Sequence, residues 1–165
     1  LTTEGGLDVK SQQPAVAAAC AQLHAAGIKV SLFVDPEESQ LEASQLCNAD
    51  AVEIHTGAYA EAHGHHQAAE FTRLLRAAAW GQQHGLAIHA GHGLNYHNVQ
   101  PVAAIAAIQE LNIGHSIIAR ALYSGLADAV REMRRLMQEA RQILTTSGHT
   151  TVAASAQSGH PHKLG

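Results

Sequence analysis

The sequence predicts an α/β protein with a parallel sheet, and we expect the chain to carry roughly the second half of a (β/α)8 TIM barrel, strands 5–8 with their helices. Helical patterns alternate with short apolar runs that are typical of buried strands. Polar residues and glycines follow several of these runs, where parallel α/β proteins carry their sites. Four strands could also form a small open sheet. The start "LTTEGGLDVK" has the composition of a loop, which favours a cut within a larger domain.

The helices are predicted from apolar spacing and from their start and stop residues. Pro14 suits the first turn of the first helix, and Gly27 suits its end. Gly85 ends a longer helix, and the final helix has an apolar stripe from Val130 to Ile143. These patterns predict helices over 14–27, 37–49, 65–85, 99–110 and 128–144.

The strands are predicted from short runs rich in Val, Ile and Leu that lie between the helices. Such runs are nearly continuously apolar because helices cover parallel strands. The first run is closed by Asp35 and Pro36, a typical turn pair. We expect strands over 28–36, 50–57, 86–91 and 111–119.

The chain divides into two predicted regions. Residues 1–144 are expected to form the C-terminal half of a TIM-barrel domain. After Thr145 the composition changes to Ser, Thr, Gly, Ala and His, so residues 145–165 are expected to be a disordered tail.

Composition narrows the classes of partner. Charged residues make up 15% of the chain and the formal net charge is −4, without a long basic run, which argues against a nucleic-acid partner. No apolar stretch reaches the ~18 to 20 residues that a membrane span needs, so we expect no membrane partner. Cys20 and Cys47 fall in apolar helical patterns, and buried thiols in a reducing cytoplasm are the expected state.

Ionisable residues interrupt the predicted strands or follow them, near the edge where their carboxyl ends should meet. Burying such groups without partners costs several kcal/mol, so they need partners or a ligand. Because a ligand in these folds binds at this edge, the residues are candidates for a site. They are Asp35, Glu53, His55, His89, His92 and His115.

Glycine and histidine stand together at the last two predicted strands, in Gly91-His92-Gly93 and in Gly114-His115. Glycine lets backbone N–H groups approach an anion closely, and barrels commonly hold phosphate in the loops after strands seven and eight. Histidine, with a reference pKa of about 6.5, is suited to proton transfer beside such an anion. The pattern therefore predicts a phosphate cradle with acid–base groups.

The residues alone leave other interpretations open. His55, His89 and His97 could be hydrogen-bonded structural histidines. Thirteen histidines raise the possibility of a metal centre, but no H-x-x-x-H or HExxH motif lies on a predicted helix, and we expect no metal. The chain could also be a non-catalytic phosphate-binding or assembly module. Another phosphate-handling barrel, an isomerase or aldolase, would be favoured by a lysine at a strand end, whereas Lys29 begins a strand.

Five motifs, "TTEGGLDV", "SLFVD", "EIHTG", "AGHGLNYHNV" and "ELNIGHSIIARAL", resemble the pyridoxine 5'-phosphate synthase family of de novo vitamin B6 biosynthesis. The resemblance runs from Leu1 to about Arg141. It implies a (β/α)8 barrel that condenses 1-deoxy-D-xylulose 5-phosphate with 3-amino-2-oxopropyl phosphate. The products would be pyridoxine 5'-phosphate, phosphate and water, formed without a metal or organic cofactor.

The resemblance also implies roles for single residues. His92 matches the family's general acid, and Glu53 matches a carboxylate that stabilises cationic imine intermediates. It further implies phosphorylated small molecules as substrates and a homo-oligomer in the full-length protein. The residues that it assigns to substrate binding are Thr2, Gly93, Gly114 and His115.

The chain departs from the family in one respect. Other catalytic groups of the family, a carboxylate, a histidine base and phosphate-binding arginines, belong to the first three to four strands, and their motifs are not found here. The chain resembles only the second half of the barrel, so we expect it to be inactive alone.

Overall fold

The computed structural model describes the backbone of residues 5–155 and the side chains of residues 5–142. Helices and strands alternate through most of this part of the chain. The helices are α1 (Gln13–Ala25), α2 (Glu38–Leu46), α3 (Gly57–Glu61), α4 (Gly64–Gln83), α5 (Val99–Ala103), α6 (His115–Ser124) and α7 (Leu126–Ser155). The strands are β1 (Ser31–Val34), β2 (Ala51–His55), β3 (Ala87–Gly91) and β4 (Ile108–Asn112).

The four strands form one parallel sheet in the order β1-β2-β3-β4, with β1 and β4 at its edges. The prediction of an α/β fold with a parallel sheet is confirmed. Sequential order without a reversal is compatible with part of a TIM barrel, whereas a doubly wound sheet reverses its strand order.

The two faces of the sheet differ in burial. One face packs into the hydrophobic core with α2 and α4, and Ile54 and Ile88 on that face are fully buried. The other face carries Phe33, Glu53 and His89 side by side in register, and these are only half-buried. Helices therefore cover the apolar face, and the polar face stays open in the part of the chain that the structure describes.

Most elements match their predictions. Pro14 lies in the first turn of α1, and α1 and α4 are followed by Gly27 and Gly85 at φ of +75° and +82°. The core of each of the first three predicted strands is a strand in the structure. Cys20 and Cys47 are buried free thiols.

The prediction was wrong between residues 104 and 124. The helix expected over 99–110 ends at Ala103, and the strand expected over 111–119 is β4, Ile108–Asn112. Ile117 and Ile118 suggested a strand because they are β-branched. Instead they belong to α6, which follows Gly114, and the predictions contained neither α6 nor α3.

The boundary predicted at residue 145 lies within α7, which the structure continues to Ser155. Residues 156–165 lie outside the described residues, so the disordered tail stays a prediction.

Candidate active site

A cavity of about 580 Å³ opens at the carboxyl edge of the sheet. The parallel strands bring their carboxyl ends to this edge, so loops from distant parts of the chain meet there. The resemblance assigned roles to six residues, and five of these line the cavity: Glu53, His92, Gly93, Gly114 and His115. Thr2, the sixth, lies outside the described residues.

Glu53 projects from β2 on the open face of the sheet. The side-chain amide of Asn112 donates a hydrogen bond of 2.8 Å to Glu53 Oε2. Glycine at position 91 leaves room for the carboxylate, because a Cβ there would lie 2.2 Å from Glu53 Oε1. Asn112, on β4 two strands away, thus orients the Glu53 carboxylate, and the lack of a side chain at Gly91 gives it room.

His92 has a backbone conformation that side chains rarely adopt, with φ of +80°. Such strain costs about 1–3 kcal/mol and persists only where surrounding contacts fix it. Here the Thr56 hydroxyl lies 2.7 Å from the carbonyl of Gly91 and 2.5 Å from that of His92, and the Thr56 N–H donates to Gly91 at 2.8 Å. Fully buried Thr56 therefore holds the turn that aims His92 at the cavity.

Gly93 continues this turn at φ of +74°. A Cβ at Gly93 would lie 2.6 Å from Ala60 Cβ, so a larger residue would collide with α3. The Asn98 side chain fixes the loop, since its amide donates to the Gly93 carbonyl at 3.2 Å and its oxygen accepts from Asn95 N–H at 2.7 Å.

Gly114 and His115 form the start of α6, where the first N–H groups of a helix have no partner within it. Ser116 donates a hydrogen bond of 2.8 Å to the carbonyl of Leu94. This bond joins the beginning of α6 to the loop after β3, so both glycine–histidine segments border one cavity. An exposed imidazole at His115 stands beside the helix start.

Tyr59 of α3 also fixes the loop after β3. Its hydroxyl donates a hydrogen bond of 2.9 Å to the Asn98 carbonyl. Burial raises the pKa of the Tyr59 hydroxyl, which keeps it neutral and able to donate.

The other histidines that the sequence singled out do not line the cavity. His55 Nδ1 lies 2.8 Å from Asp35 Oδ1, behind His92. His89 Nδ1 lies 4.0 Å from Glu110 Oε1, farther than a hydrogen bond reaches, and His97 is exposed. The roles of Asn112 and Thr56 were missed, because both depend on contacts between residues 35 or more positions apart.

A metal site and a membrane-spanning helix are both absent from the described residues. No group of three His, Cys, Asp or Glu side chains there could hold a metal ion. Within the same part of the chain, no helix is long and apolar enough to cross a membrane.

The fold and the cavity together define a parallel α/β protein with a candidate site at the carboxyl ends of its strands, where enzymes of this architecture hold their substrates. A family model, described as "Pyridoxal phosphate biosynthesis protein PdxJ", matches residues 1–139. The chain belongs to this family.

Three curated relatives named pyridoxine 5'-phosphate synthase are similar to the chain. The protein of Synechococcus sp. (strain WH7803) is 55% identical over 142 residues, which cover 86% of this chain and 58% of the relative. That of Synechococcus sp. (strain RCC307) is 53% identical, with 86% and 56% covered. That of Thioalkalivibrio sulfidiphilus (strain HL-EbGR7) is 54% identical, with 86% and 58% covered. The chain thus spans less than two thirds of each of these relatives.

A solved structure supports the fold alone. The crystal structure of the Amycolatopsis orientalis BexX/CysO complex contains a chain that is 16% identical to this one, with a TM-score of 0.53. The similarity covers 93% of this chain and 55% of that chain.

Proposed function

We propose that this chain is the second half of a pyridoxine 5'-phosphate synthase barrel and supplies strands five to eight. In the complete protein it acts on 1-deoxy-D-xylulose 5-phosphate and 3-amino-2-oxopropyl phosphate. The names of the relatives and the share of their length that the chain covers support this proposal. So do the sequential strand order and the open polar face, which suit the inner wall of a barrel.

The phosphate of a substrate would bind between the two glycine–histidine segments. Gly93 and Gly114 let N–H groups approach phosphate oxygens without a side chain in the way, and the start of α6 favours negative charge. His115 would donate a further hydrogen bond to the phosphate. The Ser116–Leu94 bond supports this role because it keeps the two segments together.

His92 would supply the protons for the condensation. The amine adds to the ketose carbonyl, and the hydroxyl of that adduct leaves as water when His92 protonates it. Phosphate then departs by elimination, and an aldol-type closure with a second loss of water completes the aromatic ring. A positioned acid or base accelerates each proton transfer by ~10² to 10⁴.

Glu53 would stabilise the cationic imine intermediates through its negative charge. Its hydrogen bond from Asn112 supports this role, since the bond fixes the carboxylate at the cavity wall. A charge held in place before the reaction stabilises a developing opposite charge without reorganisation.

Thr2 would bind substrate from the loop that precedes α1. The described part of this loop lies beside the carboxyl end of β1. Leu7 N–H donates to Phe33 O at 2.7 Å, and Gly6 N–H donates to Asp35 Oδ1 at 3.2 Å. The loop therefore leads toward the edge where the cavity opens, which supports placing Thr2 near the substrate.

The remaining proposals concern the complete protein. We place it in the cytoplasm, as a homo-oligomer of barrels without a nucleic-acid or membrane partner, and assign residues 1–144 to the barrel. Exposed apolar side chains on α6, such as Leu122 and Tyr123, support further packing of this helix in the assembled protein.

The observation that carries the proposal is the single cavity shared by Glu53, His92, Gly93, Gly114 and His115. Its test is a fusion that joins the part of the Synechococcus sp. WH7803 relative outside the match, which this proposal takes to be its N-terminal part, to residues 1–165. Circular dichroism establishes that the fusion folds, and pyridoxine 5'-phosphate is then assayed from the two substrates.

We expect product from the fusion and none from the 165-residue chain alone. His92→Ala in the fusion should lower kcat by about 10² to 10⁴. His97→Ala, an exposed histidine of the same loop, is the control and should keep kcat. A folded fusion without product, or a His92→Ala variant with full turnover, would contradict the proposal.

A non-catalytic binding module is the second candidate, because β1 and β4 are the edge strands of the described sheet, and edge strands are where another chain can pair. It predicts that the folded fusion binds inorganic phosphate but yields no product. An isomerase or aldolase that uses a lysine is less well supported, since Lys29 lies at the amino edge of β1, opposite the cavity.

A further inference from the structure

Behind the cavity wall lies a histidine–carboxylate pair that the proposed mechanism leaves unused. His55 ends β2 and Asp35 follows β1, so the adjacent strands bring them together. The distance from His55 Nδ1 to Asp35 Oδ1 is 2.8 Å, and 11% of the His55 side chain is exposed. An ionised carboxylate only accepts hydrogen bonds, so Nδ1 carries the hydrogen and the orientation of the ring is set.

The His55 ring stands edge-on between two other rings. Its centroid lies 4.9 Å from that of His92, at 69° between the planes, and 5.1 Å from that of Phe33, at 66°. The backbone of Gly57 closes the remaining side, because a Cβ there would lie 2.5 Å from His55 Nε2 and 3.1 Å from His92 Cδ2. His55 therefore forms the support against which the His92 ring rests.

The second nitrogen of this ring, His55 Nε2, is buried and has no hydrogen-bond partner among the described residues. A buried acceptor without a donor is unfavourable, and a phenyl ring in the same place would not carry that cost. Packing alone thus gives no reason for a histidine here. The reason that the contacts offer is the bond to Asp35, which a phenyl ring cannot make.

We propose that His55, anchored by Asp35, is a positioning residue that holds the imidazole of His92 in its orientation toward the cavity. This inference rests on the proposed function in one respect, namely that His92 is the proton donor. The same carboxylate oxygen accepts from the N–H of Gly6, so Asp35 also ties the loop before α1 to this pair.

Two variants separate the ring from its anchor. His55→Phe keeps a ring against His92 and removes the bond to Asp35, whereas His55→Asn keeps a donor for Asp35 and removes the ring. His24→Phe is the matched control, because His24 Nε2 of α1 and Asp50 Oδ2, just before β2, are also 2.8 Å apart. All are made in the fusion used for the proposed function.

We expect His55→Phe and His55→Asn to lower kcat by about 10- to 100-fold, the range found when outer partners that orient a metal-bound histidine are removed. KM for both substrates should stay within about threefold, since the phosphate contacts are untouched. The unfolding midpoint of His55→Phe should stay near that of the wild type. His55→Phe should add nothing in a His92→Gln background, and His24→Phe should keep the wild-type kcat.

Wild-type kcat in His55→Phe would overturn the proposal. A loss that only follows the fraction of unfolded protein, or an equal loss in His24→Phe, would do the same.

Nuclear magnetic resonance of the 165-residue chain tests whether His55 positions the His92 ring, even if no variant has enzymatic activity. Nitrogen-15 spectra should show the Nδ1–H tautomer for His55. The ring signal of His92 should be single and narrow in the wild type, and shifted or broadened in His55→Phe but not in His24→Phe. An unchanged His92 signal in His55→Phe refutes the positioning role, whereas the expected signals without product would refute only the proposed function.

Discussion

Replacing Gly91 with alanine tests the tightest contact at the candidate site. Gly91 ends β3, and its φ is not in the left-handed region, so alanine adopts the same backbone conformation without strain. The added methyl group would lie 2.2 Å from Glu53 Oε1 and 2.9 Å from the carbonyl oxygen of Asn112. Glu53 must withdraw until the gap reaches at least 3.0 Å, which disturbs its hydrogen bond from Asn112.

The sign of the stability change decides whether this contact exists. Without a collision, Gly→Ala stabilises a protein by about 0.4–1 kcal/mol through the unfolded chain. Overpacking costs about 1–3 kcal/mol, and although the Glu53 carboxylate can swing away at the end of its side chain, the backbone carbonyl of Asn112 cannot, so Gly91→Ala should destabilise the fold. A net loss near 1–2 kcal/mol would lower Tm by about 2–8 °C in a domain of this size.

Thermal unfolding followed by circular dichroism measures the effect, with Gly5→Ala as the matched control. A Cβ at Gly5 meets nothing within 4 Å, so this variant should keep or slightly raise Tm. In a Glu53→Ala background the Gly91→Ala loss should shrink, leaving the contact with the Asn112 carbonyl. A Gly91→Ala protein that is as stable as the wild type would refute the close approach of β4 to position 91.

Three further predictions concern stability and reactivity. Thr56→Val removes the hydroxyl that contacts the buried carbonyl of Gly91 and the partly buried carbonyl of His92, and should cost about 1–3 kcal/mol in urea unfolding. Thr72→Val, on an exposed helix face, should change stability by less than about 0.5 kcal/mol. Hydrogen bonds from the Val30 N–H and from His24 lower the pKa of Asp50 in the folded chain. The contribution of Asp50 to stability is therefore present above its ordinary pKa of 3.8 and is lost as pH falls through the lower folded value. The urea midpoints of the wild type and Asp50→Asn should thus differ at pH 6 and converge at low pH. Burial raises the pKa of both cysteine thiols. A thiol reagent at neutral pH should therefore label neither cysteine in the folded chain and both in urea. Rapid labelling without urea would contradict their burial.

The strands that were predicted well have the strongest local signals. β1, β2 and β3 are short apolar runs bounded by Asp-Pro or by glycine, and the burial of Val34, Ile54 and Ile88 follows directly from that pattern. Around β4 the local signals conflict. Ile105 and Ile108 have helical spacing yet lie on either side of a turn, which depends on packing that a sequence pattern does not contain.

Which residues share the cavity could be predicted because parallel strands bring their ends together. How each is held could not be predicted. The positive φ of His92 is uncommon for a residue other than glycine, and nothing local announces it. The bonds Asp35–His55 and Asn112–Glu53 join residues 20 and 59 positions apart and depend on the register of the strands.

Titration of the nitrogen-15-labelled chain with inorganic phosphate tests the central claim most directly. If the two glycine–histidine segments form one phosphate site, the backbone amide signals of Gly93, Gly114 and His115 will move together and saturate at one concentration of phosphate. Unmoved signals at these three positions, or movement confined to residues 131–135, which include three arginines, would contradict it.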